Sequence, residues 1–315
     1  MMTVSDLIKD LILTISDARN MGFEYISTKE VPSAYKPDSN LTYKSGTSKK
    51  GKIIETCVLY VDIRDSVKLV DKHQFDTMGK IYNAFAKSIL KIADNYDAKV
   101  RNIIGDRVMV VFPSENCYTK AVQCAITINH VSGEINRIFN HVDFKCGIGI
   151  DHGKMRVIKV GTEKKSDENA NYKNLIWVGY PANRASRLTD IANKEIEETY
   201  FLVESKHQVM CRNPVRFESK KVTKEMSSIE FSDLFTHGNE SMIYLTNLKD
   251  IMSFEKKNRK INFPPILITD SVMKGYKNEN PNCNTISEGH WSEIKHPIKN
   301  VPVKVFGSET TLKID

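Results

Sequence analysis

Two stretches decide the fold: CVLYVD at residues 57–62 and KVRNIIGDRVMVVF at residues 99–112. The first is a short apolar run that ends on Asp62. The second is two β-rich runs folded about Gly105-Asp106, which reads as a hairpin. A bare carboxylate at the end of a buried strand is costly unless something pairs with it. Two of them on adjacent strands would form a hard, anionic, oxygen-lined site. Such a site suits Mg²⁺ or Mn²⁺ carrying a nucleoside triphosphate. Taken singly, each aspartate reads as a turn or cap residue; the pair, together with the motifs downstream of it in the chain, reads as a metal site.

Outward from this pair the chain alternates strands and long helices. Residues 1–22 carry an amphipathic helical spacing, and 23–55 form a polar, turn-rich approach that includes KSGTSKKGK. A strand is expected over 56–63 and a helix over 73–95, where Phe75, Met78, Ile81, Tyr82, Phe85, Ile89 and Ile92 share one side. A second helix is expected over 115–139. FKCGIGIDHGKMRVIKVG reads as another hairpin, turning near His152-Gly153, and NLIWVG reads as a strand. PANRASRLTDIAN opens a helix with Pro181 in its first turn. Residues 195–262 break the rhythm and are rich in Lys, Glu and Ser. PPILITDSV resumes as a strand and helix start, and IKNVPVKVF reads as the closing strand. The pattern predicts an α+β fold, a mixed β-sheet covered by helices.

Composition narrows the function classes. The chain has 315 residues, 40% hydrophobic and 27% charged, with a net charge of +7. No apolar stretch approaches the ~20 residues a membrane span needs, so no membrane partner is expected. No basic run is interleaved with aromatics, so no nucleic-acid partner is expected. The six cysteines lack CxxC spacing and mostly sit in apolar runs. They read as reduced core thiols of a cytoplasmic protein.

The order of these motifs resembles the catalytic domain of the class III nucleotidyl cyclases, whose fold is a ferredoxin-type sandwich. VLYVDIR is similar to that family's metal-binding strand, which implies Asp62 and the Ile63 carbonyl as ligands. NIIGDRVMVVF is similar to its Gly-Asp hairpin, which implies Asp106 as the second carboxylate. CGIGIDHGKMRVIKVG resembles its glycine-rich hairpin. PANRASRL resembles its Asn-x-x-x-Arg helix, giving Asn183 and Arg187, and IKNVPVKVF places Lys299 at its phosphate-binding lysine. The resemblance implies two Mg²⁺ or Mn²⁺ ions per site and a homodimer whose two chains share each site. It also implies a division into an N-terminal helix and approach segment (1–55), a cyclase domain (56–307) with an insertion at about 195–262, and a tail (308–315).

The physics of the residues agrees. Asn183 and Arg187 lie four apart, so a helix presents both on one face. An amide can orient a ribose, and a guanidinium can stabilise charge developing on a phosphoryl group. Without the aspartates the pair would read as a helix-start residue and a surface arginine. Arg64 reads equally as a phosphate contact or as a surface ion pair with Asp65. His152 is given no chemistry.

Departures from the family point to the base. Adenylyl cyclases carry lysine, and guanylyl cyclases glutamate, four residues before the hairpin aspartate; here it is Asn102. Seven residues before the ribose asparagine the family uses Asp, Thr or Cys; here it is Ile176. Ile176 supplies no polar partner for a purine edge and Asn102 is a shorter, uncharged group; a site lacking such a partner discriminates weakly in a purine's favour. Trp177 and Tyr60 are bulky enough to shrink the pocket. The loop VDIRDSV also departs from the common cyclase loop, which has glycine, phenylalanine and threonine where Asp65, Ser66 and Val67 stand. The whole resembles the Pycsar pyrimidine cyclases of bacterial anti-phage signalling, which implies CTP or UTP as substrate. A purine cyclase with an atypical pocket, a silent nucleotide-binding module and a palm-like nucleotidyl transferase are the alternatives.

Overall fold

The computed structural model describes residues 3–43, 48–161, 173–212, 215–236 and 250–313. Parts of the expected approach segment (44–47), of the expected insertion (237–249) and of the tail (314–315) lie outside the described residues, as does the Cys211 side chain. The chain divides into two compact units, Met1–Lys194 with Phe263–Asp315, and Glu195–Asn262.

In the first unit the elements run α1 (Val4–Asn20), β1 (Phe23–Thr28), β2 (Lys49–Ile63), α2 (Ser66–Lys72), α3 (Phe75–Asn95), β3 (Lys99–Ile104), β4 (Arg107–Val111), α4 (Cys117–Ile138), β5 (Cys146–Gly161), β6 (Lys173–Val178) and α5 (Tyr180–Ile191). The second unit holds β7 (Glu195–Arg212), β8 (Val215–Ser227), α6 (Ser228–Thr236) and β9 (Ile251–Asn262). The chain then returns to the first unit with β10 (Ile266–Thr269), α7 (Asp270–Glu279), α8 (Asn284–Ser287), β11 (Ser292–Glu293) and β12 (Val305–Ser308). The main sheet has the order β11-β12-β10-β5-β2-β4-β3, with β1 also on β2 and β6 also on β5. β10 lies parallel to β5 and β1 parallel to β2, among otherwise antiparallel pairs. This mixed sheet with helices is the expected α+β fold.

Side-chain alternation along β2 sorts the two faces. Cys57, Leu59, Val61 and Ile63 point into the larger core with α3, α4 and α7, whose Phe85, Ile89, Val122, Ile128 and Met273 are buried there. Ile54 and Val58 point the other way, into a smaller core with Met109, Val111, Met155, Val157 and Ala182, bordered by Tyr60 and Trp177. Asp62 has the parity of Tyr60 and so belongs to the smaller face.

The expected hairpin in FKCGIGIDHGKMRVIKVG does not form. β5 is one strand of 16 residues that pairs with β2 from Ile63↔Cys146 to Lys52↔Val157, straight through Cys57↔His152. Its glycines serve close approach rather than a turn. A Cβ on Gly149 would lie 2.6 Å from the Thr189 backbone nitrogen, and one on Gly153 would lie 3.1 Å from the Pro181 ring. Three other expectations need smaller corrections. The metal strand begins at Lys49 rather than 56. A separate short helix, α2, precedes α3. The closing strand is only Val305–Ser308, so Lys299 stands in a turn before it. α1 forms as expected, with Thr3 as its N-cap, and buries none of its residues.

The second unit is a three-stranded antiparallel sheet of order β8-β7-β9. Phe201 stacks on Phe231 at 4.0 Å between ring centroids, and Phe254 packs beside them. On its charged side Arg259 pairs with Glu198 and Glu225, and Lys260 pairs with Glu195.

Candidate active site

The site forms where β2 ends, and α5 is what closes it. Because Gly147 and Gly149 lack side chains, α5 can lie directly against β5. The buried Thr189 hydroxyl then reaches across to the Tyr60 carbonyl of β2 at 3.1 Å. This brings the helix that carries Asn183 and Arg187 beside the strand that carries Asp62.

Asp62 is held by two guanidiniums. Arg107 Nη2 donates to its Oδ2 at 2.6 Å, and Arg64 Nη2 lies 3.5 Å from the same oxygen. Arg107 also reaches Asp190 Oδ1 at 2.6 Å and Ser186 Oγ at 3.0 Å, both on α5. Burial works against the charge on Arg107, but the carboxylates of Asp62 and Asp190 outweigh it and hold its pKa above the ordinary value. Arg64 is buried and donates to the carbonyls of Asp62 and Asp190, each at 3.3 Å. Desolvation lowers its pKa, and Asp62 opposes that shift. So Arg64 forms no ion pair with Asp65 among the described residues and stands behind the cavity wall, against Asp190, rather than on it. Asp65 pairs with Lys68 at 2.8 Å instead.

Asp65 nevertheless answers the departure noted in that loop. It caps α2 with φ 51°, the left-handed region that glycine adopts freely. The backbone conformation open to the family's glycine is therefore taken here by an aspartate, which tolerates it better than most side chains.

Asp106 occupies the two-residue turn between β3 and β4. Gly105 has φ 61° and Asp106 does not have positive φ, the pattern of a type II′ hairpin turn. β2 pairs with β4 as far as Val61↔Val108, so Asp62 and Arg107 are the next residue on each strand. Burial raises the pKa of Tyr82 on α3, and the charges of Asp106 and, less, Asp62 add to this against a hydrogen bond with Ser66 that lowers it. Two carboxylates and the Ile63 carbonyl are hard oxygen donors, which fits a divalent cation of the Mg²⁺ or Mn²⁺ kind. Among the described residues no third His, Cys, Asp or Glu joins them.

Asn183 and Arg187 line a cavity of about 760 Å³ together with Arg107, Arg184, Ser186, Asp190 and Asn300. Arg187 Nη1 stands 3.9 Å from Asp190 Oδ2, so it is loosely held and free to meet a phosphate. Through Arg107 and Asp190 the structure thus joins Asp62, Asn183 and Arg187 in one neighbourhood. It leaves Lys299 exposed in its turn, with its neighbour Asn300 on the cavity wall at φ 63°. The two base-reading positions are not brought together. Asn102 is exposed on β3 and Ile176 is exposed on β6, with β4, β2 and β5 between their strands. Tyr60 and Trp177 do share the smaller core. Sequence reasoning missed Arg107, Asp190 and Ser186. The only local signal was a cation directly after the Gly-Asp turn.

Among the described residues Cys57, Cys117, Cys124, Cys146 and Cys283 are free thiols, all but Cys283 buried. No helix among the described residues is long and apolar enough to cross a membrane.

Residues 49–228 match the model of the adenylate and guanylate cyclase catalytic domain. A uridylate cyclase from Burkholderia cepacia is 29% identical over 148 residues, covering 44% of this chain and 59% of that protein. A uridylate cyclase from Xanthomonas perforans is 27% identical over 249 residues, covering 76% of this chain and 96% of its own. The crystal structure of the adenylyl cyclase CyaB from P. aeruginosa aligns over 82% of this chain and 95% of its own, at 14% identity and a TM-score of 0.49. The family match alone spans more than half of the sequence, and it falls on the strand, turn and helix that build the site: the chain belongs to the family of adenylate and guanylate cyclase catalytic domains.

Proposed function

We propose that the protein is a nucleotidyl cyclase that converts CTP or UTP to the 3′,5′-cyclic monophosphate and pyrophosphate. The observation that carries this reading is that Arg107 ties Asp62 to α5, the helix whose Asn183 and Arg187 line an open cavity, within a cyclase-family chain. The names of the relatives favour the uridine nucleotide.

Asp62, Asp106 and the Ile63 carbonyl would hold two Mg²⁺ or Mn²⁺ ions. When bound, these would acidify the ribose 3′-hydroxyl and shield the triphosphate. The amide of Asn183 orients the ribose so that the 3′-oxygen faces the α-phosphorus in line with the departing pyrophosphate. Fixing that geometry removes much of the entropic barrier. Arg187, with Lys299 from its turn, neutralises charge that builds on the phosphates. Asn102 can donate to or accept from a pyrimidine edge, and Ile176 offers a purine no polar partner. In this reading the enzyme works as a cytoplasmic homodimer with shared sites, and its product is a second messenger in anti-phage defence. The three-part division of the chain, with 195–262 inserted in the cyclase domain, goes with it.

The test is direct. Purified protein is incubated with each of the four nucleoside triphosphates and Mn²⁺, and products are separated chromatographically. Cyclic UMP or cyclic CMP should dominate. Cyclic AMP or GMP as the main product overturns the base assignment, and no cyclic product overturns the cyclase reading.

A further inference from the structure

The cyclase reading assigns Asp62 to a divalent cation, yet its Oδ2 already receives two guanidiniums. The two are not equivalent. Arg64 is buried, donates to two backbone carbonyls, and lies so close to Gly147 that a Cβ there would meet its Nε at 2.9 Å. It has nowhere to go. Arg107 lines the open cavity, and its partners lie on two different elements: Asp62 on β2, and Asp190 and Ser186 on α5. Its Nη2 stands 2.6 Å from Asp62 Oδ2 and equally 2.6 Å from Asp190 Oδ1. A guanidinium and a divalent cation on one carboxylate oxygen would repel each other strongly at such distances. Arg107 can leave Asp62 without losing a carboxylate partner, because Asp190 is already in hand.

We propose that Arg107 is a placeholder cation: it neutralises Asp62 while the carboxylate has no metal, and withdraws to Asp190 and Ser186 when the carboxylate is given to a divalent cation. The proposal rests on the cyclase reading of this site. With sites shared between two chains, it also supplies a link from the aspartate end of one site to the arginine that the same chain gives to the other. Arg187 shares Asp190 from its other oxygen, at 3.9 Å. When Arg107 gives its whole charge to Asp190, Asp190 holds Arg187 less strongly, and Arg187 is released toward the cavity. Filling the aspartate end thereby readies the phosphate-binding arginine on α5. Arg107 is a positioning residue in this scheme, since it acts through Asp62 and Arg187.

Mn²⁺ binding to the full chain without nucleotide, measured by titration calorimetry, tests the placeholder. Arg107→Gln should bind Mn²⁺ at least about tenfold more tightly than wild type, the scale of one charge-assisted hydrogen bond removed from competition. Arg107→Lys, which cannot reach all three partners at once, should fall between the two and serves if the glutamine variant does not fold. Asp190→Asn should bind more weakly than wild type, because Arg107 then has only Asp62 to neutralise it. A purely structural arginine would give unchanged or weaker binding on substitution, and that result overturns the proposal. So would an absence of Mn²⁺ uptake by both wild type and Arg107→Gln. An Asp190→Asn variant that binds as tightly as wild type overturns the transfer to Asp190. If the affinities move as stated while no triphosphate is cyclised, the functional reading fails and the placeholder stands.

Discussion

Asp62 and Asp106 carry the same chemistry in the proposed mechanism, but the fold treats them in opposite ways. Asp62 is enclosed by two arginines that tie it to α5. Asp106 stands in a two-residue turn and makes no ion pair among the described residues. A carboxylate that both binds ligand and joins elements has two jobs, and its removal leaves the buried Arg64 guanidinium without its counter-charge. A carboxylate in a turn has one job. The difference separates what the site needs for chemistry from what it needs to stay assembled.

The largest expected effect tests that separation. Asp62→Ala and Asp106→Ala should each cut cyclase turnover about a thousandfold or more, the loss of several kcal/mol of transition-state stabilisation. Their thermal unfolding should differ. Asp62→Ala should melt several degrees lower than wild type, because Arg64 is then left buried without a counter-charge, whereas Asp106→Ala should melt close to wild type. Equal melting points would show that the arginines relax into solvent and that Asp62 has no structural role.

The sequence made one side of this comparison legible and hid the other. Asp62 stood out because it ends an apolar run, where a charge needs a reason, and Asp106 because it sits at the Gly-Asp turn between two β-rich runs. Asn183 and Arg187 stood out through their helical spacing. Arg107 and Asp190 did not, because their significance lies in contacts across many residues: Arg107 meets Asp190 at a separation of 83. Local pattern carries no trace of such pairs. The glycines of β5 misled for a related reason. Gly in a strand signals either a turn or a close neighbour, and the neighbour, α5, is visible only once the chain has folded. Lys299 was matched to a strand that begins six residues later, at Val305.

A second experiment asks whether the clamp joins residues of one working site or of two. The resemblance to the class III cyclases implies sites shared between chains, while in this chain Asp62 and Arg187 are already joined through Arg107 and Asp190. Asp62→Ala and Arg187→Ala proteins should each be inactive. Mixed in equal amounts and allowed to exchange, they should recover up to about a quarter of wild-type activity, since half of the dimers are mixed and each rebuilds one of two symmetric sites. No recovery after verified exchange would place the whole site within one chain.

The base-reading flank gives a smaller effect. Asn102 is exposed, so its replacement should leave folding untouched. Asn102→Ala should lower turnover of the preferred pyrimidine nucleotide about tenfold, the scale of one hydrogen bond to a substrate edge, and narrow the gap to the other triphosphates. An unchanged product ratio would move base recognition to Tyr60 and Trp177.

The smallest effect concerns a third carboxylate, which completes the comparison. Asp151 is fully buried on β5. Its Oδ1 accepts from Thr269 Oγ1 at 2.6 Å, while its Oδ2 has no hydrogen-bond partner and lies 3.7 Å from Arg184. Burial raises its pKa, and the Thr269 hydrogen bond and Arg184 only partly oppose that. An acid whose pKa is higher folded than unfolded holds its proton more tightly in the native state, so stability is greatest at low pH and falls as pH rises through the window between the two values. Above that window the cost is constant. Asparagine at this position cannot ionise and keeps an oxygen for Thr269. Asp151→Asn should therefore melt with wild type near pH 4 and above it at pH 7.5, by about 2–4 °C if the ionised form costs about 1 kcal/mol. The opposite order at pH 7.5 would mean that Arg184 stabilises the ionised form. Asp151 would then belong with Asp62, as a charge held by its arginine, and not with the carboxylates that the fold merely tolerates.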